Sequence, residues 1–303
     1  MPAVCETPGE TSAGCRTLEV ADVVQGAHVP LRVMYPTQAP ERMQPFGPFM
    51  ASLAVDAPVA SPAAGTALPL IVVSHGTGST PWLFRDLAAH LARAGFVVAL
   101  VQHPGNTRGD DGLAGKAINL ENRPRHIRLA IDALFGDEVI GPHLARAGVA
   151  LIGHSLGGYT ALAAAGGKPS AFAWETPDGK PGPLTVEHDP RVRALVLLAP
   201  ATVWFMAEGA LGDVDVPILM WTGGKDLHAE PIHAQIVARG LRDPTRLDHR
   251  IVPDGGHFAF VSPYPAQLKN PAIPPSQDPE GFDRAAFLPV LFEGILTFLR
   301  RWR

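Results

Sequence analysis

The chain has 303 residues, of which 46% are hydrophobic and 18% are charged, enough apolar surface to bury a sizeable core. Such a composition excludes an intrinsically disordered chain and a small disulfide-stabilised scaffold. The 25 basic and 29 acidic residues give a net charge of −4, without the basic excess typical of nucleic-acid binding. We therefore expect no nucleic-acid partner.

Two cysteines, Cys5 and Cys15, lie in a polar N-terminal stretch. Alone they cannot supply the four ligands of a structural zinc site, and either a Cys5–Cys15 disulfide or two free thiols fits their spacing. The first thirty residues lack a basic start, an apolar run and a small-residue cleavage site, which predicts a cytoplasmic protein unless a leader has been removed. Apolar runs such as residues 96–101 are far shorter than the roughly 20 residues that span a bilayer, so no membrane span is expected.

Apolar runs alternate with helical patterns along most of the chain. Residues 16–24 and 28–35 alternate polar and apolar side chains, which predicts a hairpin turning at Gln25 and Gly26. The Pro- and Ala-rich residues 36–67 predict an irregular loop. Further strands are predicted at 70–74, 96–101, 149–152, 192–198, 217–221 and 247–252, and helices at 81–94, 124–135, 156–165, 229–240 and 284–301. This alternation implies a single α/β domain, residues 1–303, with a mainly parallel sheet and helices on both faces.

The most informative motif is Gly153-His154-Ser155-Leu156-Gly157. A predicted strand precedes this Gly-x-Ser-x-Gly sequence and a predicted helix follows it, which is the context of a nucleophile elbow. In such an elbow the serine occupies a sharp turn that leaves no room for neighbouring β-carbons, hence the two glycines. The alternative is a glycine-rich turn whose serine only caps the helix.

A serine hydroxyl is a weak nucleophile at neutral pH and needs a base, which in turn needs an orienting acid. His257 lies in a Gly-Gly-His loop after the strand predicted at 247–252. That loop falls at the carboxyl edge of the sheet, where Ser155 is also expected, so we predict His257 as the base. Three other downstream histidines are less well placed: His188, His228 and His233.

Asp226 is the predicted acid, because it follows a predicted strand in a glycine-containing loop at the same edge of the sheet. Asp213 and Asp215 precede that strand and would lie at the opposite edge. Asp254 is close to His257 along the chain and is the alternative acid. An aspartate in this role would hold the imidazole in the tautomer that accepts the serine proton.

The anion that forms on attack at a carbonyl needs preorganised N–H donors. We predict the backbone N–H groups of Leu156, at the start of the helix behind the elbow, and of Thr77, in the His-Gly-Thr-Gly loop after the strand at 70–74. His75 is expected to pack against this loop or orient it.

Residues 166–190 are too many for a tight turn and predict a small cap insertion. Four aromatic residues are candidates for substrate binding, although core packing would explain them equally well: Trp174, Trp204, Phe205 and Phe258. His103, Asp110 and Asp111 match no metal-ligand spacing. We therefore expect neither a metal nor a cofactor.

Several segments together resemble α/β-hydrolases, and more narrowly the bacterial dienelactone-hydrolase-like and platelet-activating-factor-acetylhydrolase-like esterases. These segments run over most of the chain: residues 29–36, 74–78, 103–105, 123–124, 153–158, 256–258 and 281–284. The resemblance implies the α/β-hydrolase fold and a Ser–His–Asp hydrolase.

Two departures from these families are informative. Dienelactone hydrolases use a cysteine nucleophile where this chain has Ser155, which favours ordinary ester cleavage over their ring-opening reaction. The acetylhydrolases place the acid after the strand that follows the elbow helix, but residues 198–202 of this chain contain no carboxylate. This second departure supports Asp226, one strand later.

The sequence therefore predicts a cofactor-free serine hydrolase that cleaves small-molecule carboxylic esters through an acyl-enzyme on Ser155. The same three side chains would suit an amidase, a thioesterase or an acyltransferase, because fold and triad do not separate these activities. A catalytically silent binding protein on a hydrolase scaffold is a further alternative. The sequence predicts neither the acyl and alcohol specificity nor the oligomeric state.

Overall fold

The computed structural model describes residues 11–60 and 66–302. In chain order its strands are β1 (Ser12–Asp22), β2 (Ala27–Thr37), β3 (Arg42–Phe46), β4 (Phe49–Val55), β5 (Leu68–Ser74), β6 (Val97–Val101), β7 (Leu144–His154), β8 (Ser170–Ala171), β9 (Gly182–Pro183), β10 (Val192–Leu198), β11 (Ile218–Gly223) and β12 (Leu247–Val252). Its α-helices are α1 (Arg85–Arg93), α2 (Ala117–Gly136), α3 (Leu156–Ala164), α4 (Pro231–Gly240) and α5 (Arg284–Arg300). Across the described residues, no helix combines the length and the apolar character needed to cross a membrane.

Ten of these strands form one sheet in the order β12-β11-β10-β7-β5-β6-β2-β1-β4-β3. Within this sheet, the neighbouring strands β6, β5, β7, β10, β11 and β12 are parallel. Strand β2 is antiparallel to both β6 and β1. The turn between β1 and β2 places Gly26 at φ +68°. The predicted mainly parallel sheet with an N-terminal antiparallel hairpin is confirmed. The carboxyl ends of the parallel strands share one edge of the sheet, where ligands bind in such folds.

Helices cover both faces of the sheet, as predicted. Helices α1 and α5 contribute to one apolar core, and helices α2, α3 and α4 to the other. In β5, Ile71 and Val73 belong to the first core, while Leu70 and Val72 belong to the second. A strand buried on both faces needs apolar residues at every position, so these strands appear in the sequence as continuous apolar runs.

The prediction of an irregular loop over residues 36–67 is wrong in part, because β3 and β4 form a second hairpin within it. The two strands are antiparallel and turn at Gly47, which has φ +63°. Pro45 in β3 and Pro48 in the turn obscure the alternation of polar and apolar residues that would predict these strands. β3 is an edge strand, where a proline is tolerated because its missing N–H is not needed by a second neighbour.

Helix α2 begins at Ala117, well before the start that we predicted at Pro124. A proline inside a helix leaves the carbonyl four residues earlier without its usual donor, and that carbonyl belongs to Leu120. The buried hydroxyl of Tyr159, on α3, donates to it at 3.1 Å. A hydrogen bond from a neighbouring helix therefore replaces the one that the proline removes.

Tyr159→Phe should lower the free energy of unfolding by about 1–3 kcal/mol, because it leaves the buried Leu120 carbonyl without a donor. Urea unfolding followed by circular dichroism measures this change. Tyr264→Phe is the matched control, since no hydrogen bond of the Tyr264 hydroxyl is found within the described residues, and it should stay close to wild type. Equal stability of the two variants would contradict the assigned role of Tyr159.

Of the two cysteines, Cys15 lies on β1 and is buried, whereas Cys5 lies outside the described residues. Burial raises the pKa of the Cys15 thiol to about 11. Cys15 is therefore held as a neutral thiol at physiological pH.

Candidate active site

Ser155 stands in the turn between β7 and α3, at the carboxyl edge of the sheet. Its backbone has φ +54° and ψ −119°, a strained conformation for any residue other than glycine. Three backbone hydrogen bonds hold it: its N–H donates to the carbonyl of Leu198 (3.0 Å), and its own carbonyl accepts from Gly158 (2.8 Å) and Ala201 (2.9 Å). Its side chain makes no capping hydrogen bond to α3, so this serine does not merely cap the helix.

The glycines of the motif are required by close backbone packing. A β-carbon on Gly153 would overlap the backbone of Gly157, and one on Gly157 would overlap the carbonyl oxygen of Ser74. The loop after β5 also comes close, since a β-carbon on Gly76 would lie 3.1 Å from that of Ser155. The elbow and the loop after β5 therefore face each other at contact distance.

Asp226 and His257 lie in the loops that follow β11 and β12, and their side chains are paired. Nδ1 of His257 lies 2.8 Å from Oδ2 of Asp226, and both residues are buried. A carboxylate can only accept, so Nδ1 carries the imidazole proton and Nε2 is left as an acceptor. This is the tautomer that a general base needs.

Asp226 is stabilised as a carboxylate by its surroundings. Burial alone would raise its pKa, but the hydrogen bond from His257 and two backbone N–H donors keep the pKa of Asp226 below its usual value. The backbone donors are the N–H groups of His228 and Ala229, both 2.8 Å from Oδ1. One carboxylate oxygen is thus fixed by the backbone while the other orients the imidazole.

His154, the residue before Ser155, ties the base to the elbow. Its Nε2 lies 2.9 Å from the backbone carbonyl of His257, and the two rings are 4.9 Å apart. Because a carbonyl can only accept, Nε2 of His154 carries the proton. Burial lowers the pKa of His154 to about 3, so this link is made by a neutral imidazole.

The two residues predicted to supply the oxyanion donors line one cavity. Thr77, Leu156 and Ser155 line a cavity of about 240 Å³. Leu156 is the first residue of α3, where N–H groups lack acceptors within the helix. Thr77 follows Gly76 in the loop that approaches the elbow. The arrangement suits binding of an anion beside the Ser155 hydroxyl.

The same cavity is lined by Trp204 and by Glu175, a residue that the sequence did not single out. Nε1 of Trp204 donates to both carboxylate oxygens of Glu175 at 3.0 Å. The backbone N–H of Phe172 donates to the same carboxylate at 2.9 Å. A buried carboxylate fixed by neutral donors therefore forms part of the wall next to Ser155.

The other three predicted substrate-binding residues lie apart from this cavity. Phe258 packs edge-on against His257 and lines a second cavity of about 340 Å³ on the side of the base. Trp174 stacks on Phe172 and is 76% exposed. Phe205 is buried and stacks on Tyr159. Neither Trp174 nor Phe205 lines either of these two cavities.

The alternative acid and bases are engaged elsewhere or exposed. The exposed side chain of Asp254 pairs with Lys225 at 2.8 Å. Nδ1 of His233 accepts from the backbone N–H of Thr202 at 2.9 Å. His188 is exposed, and so is His228 beside the ring of His257.

The chain is similar to several known proteins. Residues 65–175, from the segment before β5 through the elbow and α3, match the family model described as "Serine aminopeptidase, S33". No curated protein matches the sequence. A ferulic acid esterase from Streptomyces cinnamoneus is 19% identical, with a TM-score of 0.68 over 96% of this chain and 90% of that one.

Two further solved structures are similar. A dienelactone-hydrolase-like promiscuous phosphotriesterase from metagenomic libraries is 15% identical, with a TM-score of 0.60 over 96% of this chain and 99% of that one. A dienelactone hydrolase from Anabaena variabilis is 18% identical, with a TM-score of 0.54 over 93% and 96% of the two chains. The chain therefore has the α/β-hydrolase fold. The matched segment contains Ser155 and is similar to serine hydrolases of that family.

Proposed function

We propose that the chain hydrolyses carboxylic esters of small molecules through an acyl-enzyme on Ser155. The observation that carries this proposal is the 2.8 Å pair between His257 and Asp226. The loop that contains His257 is also hydrogen-bonded to His154, the residue before Ser155 in the strained elbow. This pairing leaves Nε2 of His257 as the acceptor for the serine proton.

In the proposed reaction, the Ser155 hydroxyl oxygen attacks the ester carbonyl while Nε2 of His257 takes its proton. The N–H groups of Leu156 and Thr77 stabilise the resulting oxyanion. His257 returns the proton to the leaving alcohol as the C–O bond breaks, which gives the acyl-enzyme. Water then attacks in the same way and releases the acid and the free serine. Asp226 stabilises the imidazolium in both halves of the reaction.

We further propose that residues 166–190 form a small cap over the Ser155 cavity. The two short strands β8 and β9 pair within this segment, and Glu175 contributes to the cavity wall. The backbone N–H of Thr185 donates to the side chain of Glu121 on α2 at 2.9 Å. These contacts support the proposed position of the segment beside the elbow.

A panel of p-nitrophenyl esters graded by acyl length, with amide and thioester counterparts, tests the proposed activity. We expect ester hydrolysis to exceed amide hydrolysis. Faster amide cleavage would favour the amidase alternative, which the description of the matched family also suggests. No turnover of any ester would support a silent binding protein. Added amine and thiol acceptors that divert the acyl group from water would support an acyltransferase.

Asp226→Asn should lower kcat by roughly 10²–10⁴-fold, because an amide no longer enforces the Nδ1–H tautomer of His257. Asp254→Asn is the matched control, since the only ion-pair partner of this exposed residue in the described part of the chain is Lys225, and its kcat should stay close to wild type. Steady-state kinetics with one p-nitrophenyl ester measures both variants. A large loss in Asp254→Asn with none in Asp226→Asn would reverse the assignment of the acid.

A further inference from the structure

Arg123, on α2, is completely buried and forms no ion pair with any residue in the described ranges. Its guanidinium donates instead to four neutral oxygens: Asn106 Oδ1 (2.7 Å), Thr160 Oγ1 (3.0 Å), Ser74 Oγ (3.2 Å) and the backbone carbonyl of His75. Burying a charge without a counter-ion is costly, so ordinary core packing does not explain this arginine.

One set of hydrogen bonds connects the guanidinium to Thr77 through Asn106. Because Arg123 can only donate, Asn106 presents its Oδ1 to the guanidinium and its Nδ2 to the opposite side. From there Nδ2 donates to Oγ1 of Thr77 at 2.9 Å and to Oδ1 of Asp111 at 2.6 Å. The position of Thr77 is therefore fixed through a single amide by Arg123.

A second set connects the guanidinium to Leu156 through Thr160. Nε of Arg123 donates to the hydroxyl oxygen of Thr160, and this hydroxyl donates in turn to the backbone carbonyl of Leu156 at 2.9 Å. A third set holds the end of β5 through Ser74 and the carbonyl of His75. One planar group is thus linked to both residues predicted to supply the oxyanion donors and to the carboxyl end of β5.

The charge of this group also has the sign that the reaction needs. Burial lowers the pKa of Arg123 to about 9, so the guanidinium remains positive at neutral pH. A positive charge in a low-dielectric interior stabilises an anion more than it would in water. Asp111, which Asn106 links to Arg123, opposes this field in part but forms no ion pair with the guanidinium.

We propose that Arg123 is the positioning residue of the oxyanion hole, holding the N–H groups of Thr77 and Leu156 through Asn106 and Thr160. This inference rests on the proposed esterase function. Arg123 does not touch the substrate and acts through the two donor residues. Its effect should therefore appear in stabilisation of the tetrahedral anion and not in substrate binding.

Arg123→Met tests the inference in the full chain with a p-nitrophenyl ester. We expect kcat to fall on the order of 10²–10³-fold, as when an oxyanion donor is lost, while KM stays close to wild type. Arg85→Met is the matched control, because Arg85 is also buried but donates to the carbonyls of Trp82 and Pro263 and lies over the ring of Phe49. Its kcat should not change.

Two milder variants keep the test decisive if Arg123→Met fails to fold. Of the two connections to the predicted donors, Asn106→Ala removes only the hydrogen bonds that connect Arg123 to Thr77. Thr160→Val removes only those that connect Arg123 to Leu156. Each should lower kcat by about tenfold, a fraction of the effect of losing a donor outright. Arg123→Lys should restore little of the lost kcat, because a lysine ammonium cannot reach all four acceptors of the planar guanidinium.

A comparison of matched oxo and thiono esters separates this role from a merely structural one. N–H donors stabilise an oxygen anion better than a sulfur anion, so the wild type should prefer the oxo ester, and Asn106→Ala and Thr160→Val should weaken that preference. An unchanged oxo-to-thiono ratio with unchanged kcat in both would overturn the role of Arg123 alone. A wild type without Ser155-dependent esterase activity would overturn the proposed function and this inference together.

Discussion

Ser155→Ala should lower kcat for a p-nitrophenyl ester by roughly 10⁴-fold or more, because it removes the atom that forms the acyl-enzyme. The remaining activity would come from the oxyanion donors and substrate binding. The fold should persist, since the backbone hydrogen bonds of the elbow involve no side-chain atom of Ser155. Ser12→Ala, on β1 in the antiparallel part of the sheet, is the control and should leave kcat unchanged.

The triad members should also act as a unit. Adding His257→Ala to Ser155→Ala should cost almost nothing further, because the base has no proton to take once the hydroxyl is gone. Steady-state kinetics of the two single variants and the double variant measures this coupling. Full activity in Ser155→Ala, or losses that multiply in the double variant, would contradict the proposed mechanism.

Lowering the pH from about 6.5 to about 5 should destabilise the folded chain by about 2 kcal/mol for each deeply buried histidine. Three histidines are of this kind, and burial is the main cause that lowers the pKa of each to about 3: His75, His126 and His154. Burial lowers the pKa of His103 in the same direction. An imidazole in the unfolded chain takes up a proton below its ordinary pKa of 6.5, whereas the folded chain resists this. Stability is therefore complete above pH 6.5 and falls progressively as the pH drops towards about 3.

The hydrogen bonds of two of these histidines depend on the neutral form. Nε2 of His126 faces Oδ2 of Asp22 at 3.2 Å, so that nitrogen carries the proton. Nδ1 of His126 then accepts from Nδ1 of His103 at 3.0 Å, and Nε2 of His103 accepts from the hydroxyl of Ser74 at 2.8 Å. A second proton on either ring would remove an acceptor from this chain of hydrogen bonds.

Urea unfolding at a series of pH values between about 7 and 5 measures the effect. His126→Gln should reduce the steepness of the pH dependence, because one proton-binding site of the unfolded chain is lost. His188→Gln is the control, since this histidine is exposed and its replacement should leave the steepness unchanged. A free energy of unfolding that stays constant between pH 7 and 5 would contradict the buried neutral histidines.

The residues of the candidate triad could be identified from the sequence because local patterns place them. Ser155 lies in a motif between an apolar strand and a helix, and Asp226 and His257 each follow an apolar strand in a glycine-containing loop. Parallel strands bring the loops at their carboxyl ends to one edge of the sheet. Strand order and exact pairing were not needed for this inference.

The positions of Arg123 and Glu175 depend instead on contacts that are distant along the chain. Three of the four acceptors of Arg123 lie 17, 37 and 49 residues away, at Asn106, Thr160 and Ser74. Glu175 meets Trp204 at a separation of 29 residues. No local sequence pattern predicts contacts between residues so far apart along the chain.

The second hairpin and the start of α2 escaped prediction for a different reason. Prolines at 45 and 124 predict breaks where the structure continues a strand or a helix. In each case the surroundings make the missing N–H harmless, through an edge position for β3 and through the Tyr159 hydroxyl for α2. Tertiary contacts therefore override the local preference of proline.

Labelling with a fluorophosphonate, followed by peptide mapping, tests the central claim most directly, because the probe reacts only with an activated serine. The proposed triad predicts one adduct, on Ser155. This adduct should be lost in His257→Ala and should form much more slowly in Asp226→Asn. An adduct on another serine, or labelling of Ser155 at the wild-type rate in His257→Ala, would contradict the proposed triad.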